Sequence, residues 1–467
     1  MKTRHKVLIA GMACLLLSLG ACVQQKYSRP ELNTSRLYRD VPASDSSNMA
    51  SLPWRTLFND PNLQSLIETG ITQNIDLKQA IERMKIAEAA LQQSRLAFYP
   101  SLQADVSVTD AKQSRAAQNF PAGININLET QTYRAQFSSS WEADIWGKLG
   151  SAKRSAYAGW LQSDAAKRAV QTQLVSNIAN AYYTLLALDK QLSITLLTIK
   201  SRQNNVAAMK SLKDAGRVTG ASVVQSEASL YAAEVSVPDL ERSIRETEHA
   251  LSLLLAYPPS AINRSTLDKQ IVFTALNTGV PVQLLQNRPD VQAAEFAFRA
   301  AFENTNVARA YFYPALTLTA GGGLSTLQLK DFFNQSVFYN LVGGLTQPIF
   351  ARGQNKARLK IAQAQQQIAL TSFQQSLLTA GAEVSNALYS YKTAAAKREI
   401  RTKQIASLQK AVDFTQELLR YSSATNYTDV LTSEQSLLAA QLSETGDQLQ
   451  QLQAVVNLYR ALGGGWK

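Results

Sequence analysis

Two periods of apolar residues alternate along this chain. Leu174, Ile178, Ala181, Leu185, Leu188 and Leu192 step by four and three, the seam of a helix that packs lengthwise on a neighbour. That stretch, about 148–213, contains no proline, and at 1.5 Å per residue it is roughly 100 Å long. A second, about 355–420, has Ile405, Leu408, Val412, Thr415 and Leu419 as its seam. Compact domains do not need helices of this length; a column does.

Ahead of each long helix the period drops to two. Leu102, Ala104, Val106 and Val108 alternate with Gln103, Asp105, Ser107 and Thr109. Tyr133, Ala135, Phe137, Ser139 and Trp141 alternate with Arg134, Gln136, Ser138, Ser140 and Glu142. Leu316, Leu318 and Ala320 alternate with Thr317 and Thr319, and a less regular segment follows. The pattern predicts strands at about 101–110, 131–142, 315–324 and 336–346, each with one apolar and one polar face. Strands of about ten residues cross a bilayer at a tilt. Beyond the N-terminus no run of eighteen apolar residues exists, so a crossing has to be made by strands.

The pattern occurs twice. Asp76 precedes Pro100 of Phe98-Tyr99-Pro100-Ser101-Leu102 by 24 residues, and Asp290 precedes Pro314 of Phe312-Tyr313-Pro314-Ala315-Leu316 by 24. Ser222-Val223-Val224-Gln225-Ser226-Glu227 matches Asp429-Val430-Leu431-Thr432-Ser433-Glu434 at an offset of 207. Such a period is too long for a solenoid and marks duplication of an α-β-β-α half. The expected divisions are a signal peptide at 1–21, an extended arm at 22–60, a first repeat at 61–256, a linker at 257–280 and a second repeat at 281–467. Pro100 and Pro314 end helices because the residue before proline is pushed out of the α region. Phe98, Tyr99, Phe312 and Tyr313 beside them are candidate membrane-interface aromatics. Pro238 should bend the helix over 221–256.

Lys2, Arg4 and Lys6 followed by apolar 7–19 form a signal sequence. Leu19-Gly20-Ala21-Cys22 has the form of a lipobox, which makes Cys22 the lipidation site and the first mature residue; Val23 after it favours the outer membrane. After cleavage the chain keeps one histidine, His249, three methionines, Met49, Met84 and Met209, and no free thiol. That composition argues against a metal site, a cofactor and Cys or Ser-His catalysis. The formal charge of +12 comes from Lys and Arg scattered along helices, so solvated helix faces rather than nucleic acid account for it.

Four strands cannot close a barrel, and an open sheet edge in lipid leaves unpaired backbone groups. The chain should therefore pool its strands with other copies. Small and polar inward residues (Ser107, Thr109, Ser138, Ser140, Thr317 and Thr319) favour a wet lumen.

Several segments carry a resemblance. They include Pro53-Trp54-Arg55-Thr56-Leu57-Phe58-Asn59-Asp60-Pro61-Asn62-Leu63, Asn74-Ile75-Asp76-Leu77, Leu284 to Glu295 around Arg288-Pro289-Asp290, Leu254 to Pro259, and Leu462-Gly463-Gly464-Gly465-Trp466. Over essentially the whole mature chain they resemble the TolC-like outer membrane factors, in the lipoprotein branch that serves resistance-nodulation-division efflux pumps. Arg55 departs from that pattern, where a second Trp is common, and so does Ser222-Val223-Val224 at the first distal turn. The resemblance implies a mainly α protein with membrane β: a homotrimer with a twelve-strand outer membrane barrel, a twelve-helix periplasmic coiled-coil tunnel and an equatorial belt. It implies a passive exit duct for small toxic compounds or drugs, working with a periplasmic adaptor and an inner-membrane proton-driven transporter, and no enzyme. A type I protein-secretion duct or a metal-ion efflux duct is the alternative in the same class, and a coiled-coil lipoprotein scaffold the alternative outside it. At the distal turns Asp214, Arg217, Arg420, Tyr421 and Asp429 are candidates for a tip gate or adaptor contact, with Asp214 or Asp429 facing Arg217 or Arg420.

Overall fold

A computed structural model of the protein describes residues 24–32, 34, 37–39, 48–117, 127–274, 276, 278–421 and 426–466. The signal peptide, Cys22 and residues 422–425 lie outside them. In chain order the elements are α1 (Pro61–Gln73), α2 (Ile75–Leu96), β1 (Ser101–Lys112), β2 (Glu129–Ala143), α3 (Lys148–Asp214), α4 (Gly220–Glu234), α5 (Ser236–Leu254), α6 (Pro289–Ala310), β3 (Ala315–Thr326), β4 (Val337–Thr346), α7 (Gln354–Tyr421) and α8 (Tyr427–Ala461). The segment expected as an extended arm also holds two short helical pieces, Met49–Ser51 and Trp54–Leu57. Asn48 starts the first by accepting from the Ala50 amide through its side chain at 2.8 Å.

The chain divides into two compact units that do not coincide with the two repeats. One takes residues 1–30, 85–162 and 295–372; the other takes 31–84, 163–294 and 373–467. In the first unit the strands form one antiparallel sheet in the order β1-β2-β3-β4. Paired residues share a face, and the register sorts the side chains cleanly. Val106 pairs with Ala135, Phe137 with Gly322, Trp141 with Leu318, Gly322 with Tyr339 and Leu316 with Leu345, all on one apolar face. Gln103 pairs with Ser138, Ser107 with Arg134, Ser140 with Thr319 and Gly321 with Asn340 on the other. Val106 is 80% exposed and Tyr339 87%, so among the described residues nothing covers these positions of the apolar face. The irregularity of β4 comes from Phe338 and Val342, which stand on the polar side; Arg134 covers Phe338, with its guanidinium 5.2 Å from the ring.

The second unit holds the main hydrophobic core. Leu174, Ile178 and Leu185 of the α3 seam are buried in it. On α7 the buried set is Phe373, Leu377, Ala380, Val384 and Leu388. Of the predicted α7 seam only Val412 is fully buried; Ile405, Leu408, Thr415 and Leu419 are half-buried. The helix over 221–256 is interrupted at a single residue, Val235, which keeps helical dihedrals (φ −59°, ψ −28°). It stops at Glu234 and restarts at Ser236, which puts Pro238 in a first turn, where the missing N–H costs nothing.

Buried polar groups tie the loops of this unit to the helices. Arg288 donates to the Ala461 carbonyl at 3.0 Å and to Asp290 at 2.8–3.1 Å, and its guanidinium pairs with Glu383 at 2.6 Å. The Arg-Pro-Asp signature therefore holds the C-terminal end of α8 against α6 and α7. Asp60 does the same for the linker. Through Oδ1 it caps α1 by accepting from the Asn62 amide at 2.9 Å. Through Oδ2 it accepts from Tyr182 and Gln270, both at 2.8 Å, and from the Ser265 hydroxyl. Burial alone would push the Asp60 carboxyl up, but these hydrogen bonds outweigh it and hold it below the ordinary aspartate range.

A carboxyl with a depressed native pKa stabilises the fold above its unfolded pKa, and that contribution disappears as pH falls through the native value. Asp60→Ala should lower stability at pH 7 by roughly 2–3 kcal/mol, because three side-chain donors lose their acceptor. The acid limb of its stability curve should be flatter than that of the native protein below about pH 4. Thermal melts between pH 7 and pH 3 measure both; equal losses at the two ends would contradict the assignment.

Candidate functional site: the sheet base, the arm and the distal turns

Each strand pair begins at an aromatic corner in the first unit. Phe98 follows the end of α2, and its carbonyl accepts from the Trp141 indole at 2.8 Å, while the Lys153 ammonium sits 5.4 Å from its ring. Tyr313 stacks on Trp146 with centroids 5.0 Å apart, and the Trp146 indole donates to the Pro314 carbonyl at 2.7 Å. Phe98 and Tyr313 are therefore packed within the chain. Tyr99, at 69%, and Phe312, at 40%, are exposed. The four candidate aromatics split two and two. Trp141 and Trp146 carry the polar links of the corner, and periodicity gave no signal for Trp146.

Residues 24–30 run beside α6. The Asn306 carboxamide exchanges two hydrogen bonds with the Gln25 backbone, at 3.2 and 2.9 Å. Tyr27 packs edge-on to Phe302 at 5.6 Å and tilted to Phe298 at 5.9 Å. Burial, assisted by Glu295, pushes its phenol up. Arg29 pairs with Glu295 at 2.5 Å. At the near end Gln24 donates to the Trp146 carbonyl at 3.4 Å. Gly147 turns there with φ +70°, and a Cβ on it would lie 1.2 Å from the Gln24 amide nitrogen. Glycine is required at this position on both counts.

The distal turns belong to the second unit. Gly216 adopts φ +71° after α3, a left-handed helix cap. Met209, Val223, Tyr427, Val430 and Leu431 form a small apolar core there. Arg217 donates to the Arg420 carbonyl at 3.3 Å. Asp429 closes a capping box with Asn426, each side chain accepting from the other's amide at 3.2–3.3 Å. Tyr421 is 84% exposed. Within one chain Arg217 thus meets the carbonyl of Arg420, and Asp429 serves its own helix. Deeper in the same bundle lies a polar layer that the heptad pattern concealed. Glu434 is buried and accepts from Asn205 at 2.6 Å and from Gln416 at 2.9 Å.

Among the described residues no helix is long and apolar enough to cross a membrane, and no group of three or more His, Cys, Asp or Glu could hold a metal ion.

The sequence model of the family "Outer membrane efflux protein" matches residues 66–256 and 280–464. The pyoverdine export outer membrane protein OpmQ of Pseudomonas putida is 30% identical over 459 residues, covering 97% of each chain. The probable outer membrane lipoprotein SilC of Salmonella typhimurium is 29% identical over 422 residues, covering 88% of each. Among solved structures, the open state of the MtrE outer membrane channel of Neisseria gonorrhoeae superposes with a TM-score of 0.83 at 25% identity, covering 95% of this chain and 98% of that one.

The fit of Gln24 over Gly147 predicts that Gly147→Ala expels the arm. Trypsin cleavage after Lys26 should become several-fold faster while the helical content stays unchanged. An unaltered cleavage rate would show that the arm does not depend on this glycine.

Proposed function

This chain belongs to the outer membrane efflux protein family and is an outer-membrane exit duct for efflux; we propose that it acts as a homotrimer within a tripartite pump. Three copies supply twelve strands, which is even-numbered and wide enough to leave a lumen. The observation that carries the reading is the sheet. Among the described residues it has one exposed apolar face, one polar face, and an unpaired edge on both β1 and β4. Hydrocarbon does not tolerate such edges, and pairing β4 of one copy with β1 of the next removes both. The long helices α3 and α7 would continue the channel as a periplasmic tunnel. The energy would come from an inner-membrane proton-driven transporter, joined to the duct by a periplasmic adaptor. Its cargo would be small toxic compounds or drugs, in keeping with relatives named for toluene efflux and pyoverdine export.

Cys22 would be the lipid anchor. It lies two residues before Gln24, a reach of about 7 Å, and Gln24 sits against the Trp146 corner at the base of the sheet. An acyl anchor attached there would enter the bilayer beside the strands. At the distal turns Asp214, Arg217, Arg420, Tyr421 and Asp429 would meet their counterparts in neighbouring copies or the adaptor. Exposed ion pairs contribute about 0–1 kcal/mol each, so three symmetric sets would bias a narrow state without locking it.

The purified chain should conduct ions in planar bilayers as a trimer; trimers that insert without conducting would refute the duct. Arg420→Ser combined with Asp429→Asn, which keeps a side-chain acceptor for the helix cap, should raise single-channel conductance. Unchanged conductance in assembled trimers would exclude these residues as the latch. Mass spectrometry of the mature protein should find Cys22 acylated, and Cys22→Ser should abolish the added mass.

A further inference from the structure

At the base of the sheet, just beyond the end of α6, Tyr311 is flanked by two cations. The Arg358 guanidinium lies 3.8 Å from its ring centroid and the Lys148 ammonium 5.2 Å. Lys148 is neutralised by Glu142 at 2.5 Å. Arg358 is not. Its hydrogen bond goes to the neutral carboxamide of Asn355 at 3.2 Å, and among the described residues no carboxylate pairs with it. Asn355 in turn donates to the Tyr311 carbonyl at 2.9 Å, which ties the guanidinium to the backbone that carries the ring.

Two hollows meet at this pair. One is a cavity of about 310 Å³ whose walls include Trp146 and Tyr313. Glu142, Ala315 and Thr346 in its lining are polar-face positions of the sheet. The other is a more apolar groove of about 550 Å³ between α6 and α7, walled by Val307, Ala308, Ala357 and Ile361. Tyr311 and Arg358 border both. A guanidinium stacked on an aromatic ring stays charged and keeps its in-plane donors for an oxyanion. An apolar trough with one convergent cation is the form of a small-molecule site, and its charge selects the sign of the guest.

We propose that this cleft binds an anionic amphiphile, with Arg358 holding a sulfonate, carboxylate or phosphate head and the groove holding an apolar or aromatic body. The assignment of the guest as cargo rests on the exit-duct reading; the binding itself does not. The anion could arrive as a free passenger or as the headgroup of an anionic lipid, which offers the same chemistry.

Calorimetric titration of the full chain in phosphatidylcholine nanodiscs, with naphthalene-2-sulfonate as the probe, tests the site. The sulfonate should bind, and Arg358→Gln should weaken it roughly tenfold, the loss expected for hydrogen bonds to a charged group. Neutral 2-naphthalenemethanol should bind more weakly and be indifferent to the substitution. Arg358→Lys, which keeps the charge and preserves the fold if glutamine does not, should retain part of the affinity. Competition by phosphatidylglycerol in the disc would identify a lipid headgroup as the guest, and its absence a free passenger. Equal sulfonate affinity in the native protein and Arg358→Gln, or no binding because a neighbouring copy fills the groove, would overturn the proposal. Conductance of the same preparation separates the two readings. A channel that conducts without binding the sulfonate loses this site and keeps the duct; a protein that binds without conducting does the reverse.

Discussion

The unpaired edge of the sheet governs the rest of this molecule. Among the described residues, backbone amides and carbonyls on the outer sides of β1 and β4 have no strand partner, and hydrocarbon offers none. Satisfying them requires further strands of matching register and tilt, and the nearest source is another copy. Duplication follows the same logic. A half with two strands and one long helix has the same open edges as the whole, so copying the half widens the sheet without changing the problem. The apolar face is similarly dependent: its side chains are exposed here because the solvent they suit is lipid rather than water.

The remaining polar chemistry serves to hold long elements in place. Helices of about 100 Å have little intrinsic reason to stay in one register. Asp60 joins the start of α1, the middle of α3 and the linker through one carboxylate. Arg288 joins α6, α7 and the end of α8 through one guanidinium. Glu434 joins α3, α7 and α8 in the bundle of the distal turns. Each is a buried charge or acceptor whose loss leaves several donors or acceptors unmatched. Such groups specify position more than they add net stability, because the same volume filled by leucine would pack equally well in several registers.

Periodicity made the strands and the long helices legible, because alternation and heptads are direct consequences of which face each element buries. The fold class was legible for the same reason, and the family through short motifs such as Arg288-Pro289-Asp290. The reason for that motif was not. Arg288 acts on the Ala461 carbonyl, 173 residues away, and no local pattern records that distance. Gln24 over Gly147 was hidden likewise, since a glycine after a tryptophan reads only as a turn. The aromatic corners were found as a group but not sorted. Sequence placed Phe98, Tyr99, Phe312 and Tyr313 beside their prolines, yet which ring packs inward is decided by Trp141 and Trp146. The distal turns were found by duplication, while the Asn426–Asp429 capping box was an i to i+3 pattern that went unused.

The two repeats differ most where their long helices carry apolar residues. The α3 seam at Leu174, Ile178, Leu185 and beyond steps by heptads and is buried or half-buried in its own unit. On α7 a second stripe, Leu378, Tyr389 and Ile400, steps by 11 residues, and all three are at least 59% exposed. A heptad stripe drifts about 20° per repeat around a straight helix, and an 11-residue stripe drifts in the opposite sense. Helices that carry both kinds need not coil strongly around one another in either hand. They can stand side by side like staves, which suits a wall built from many helices better than a rope built from two. The exposed stripe of α7 therefore has the geometry for lateral packing, and the buried seam of α3 the geometry for holding one chain together. On α7 both tasks sit on one helix, since its buried set from Phe373 to Leu388 joins the same core as the α3 seam.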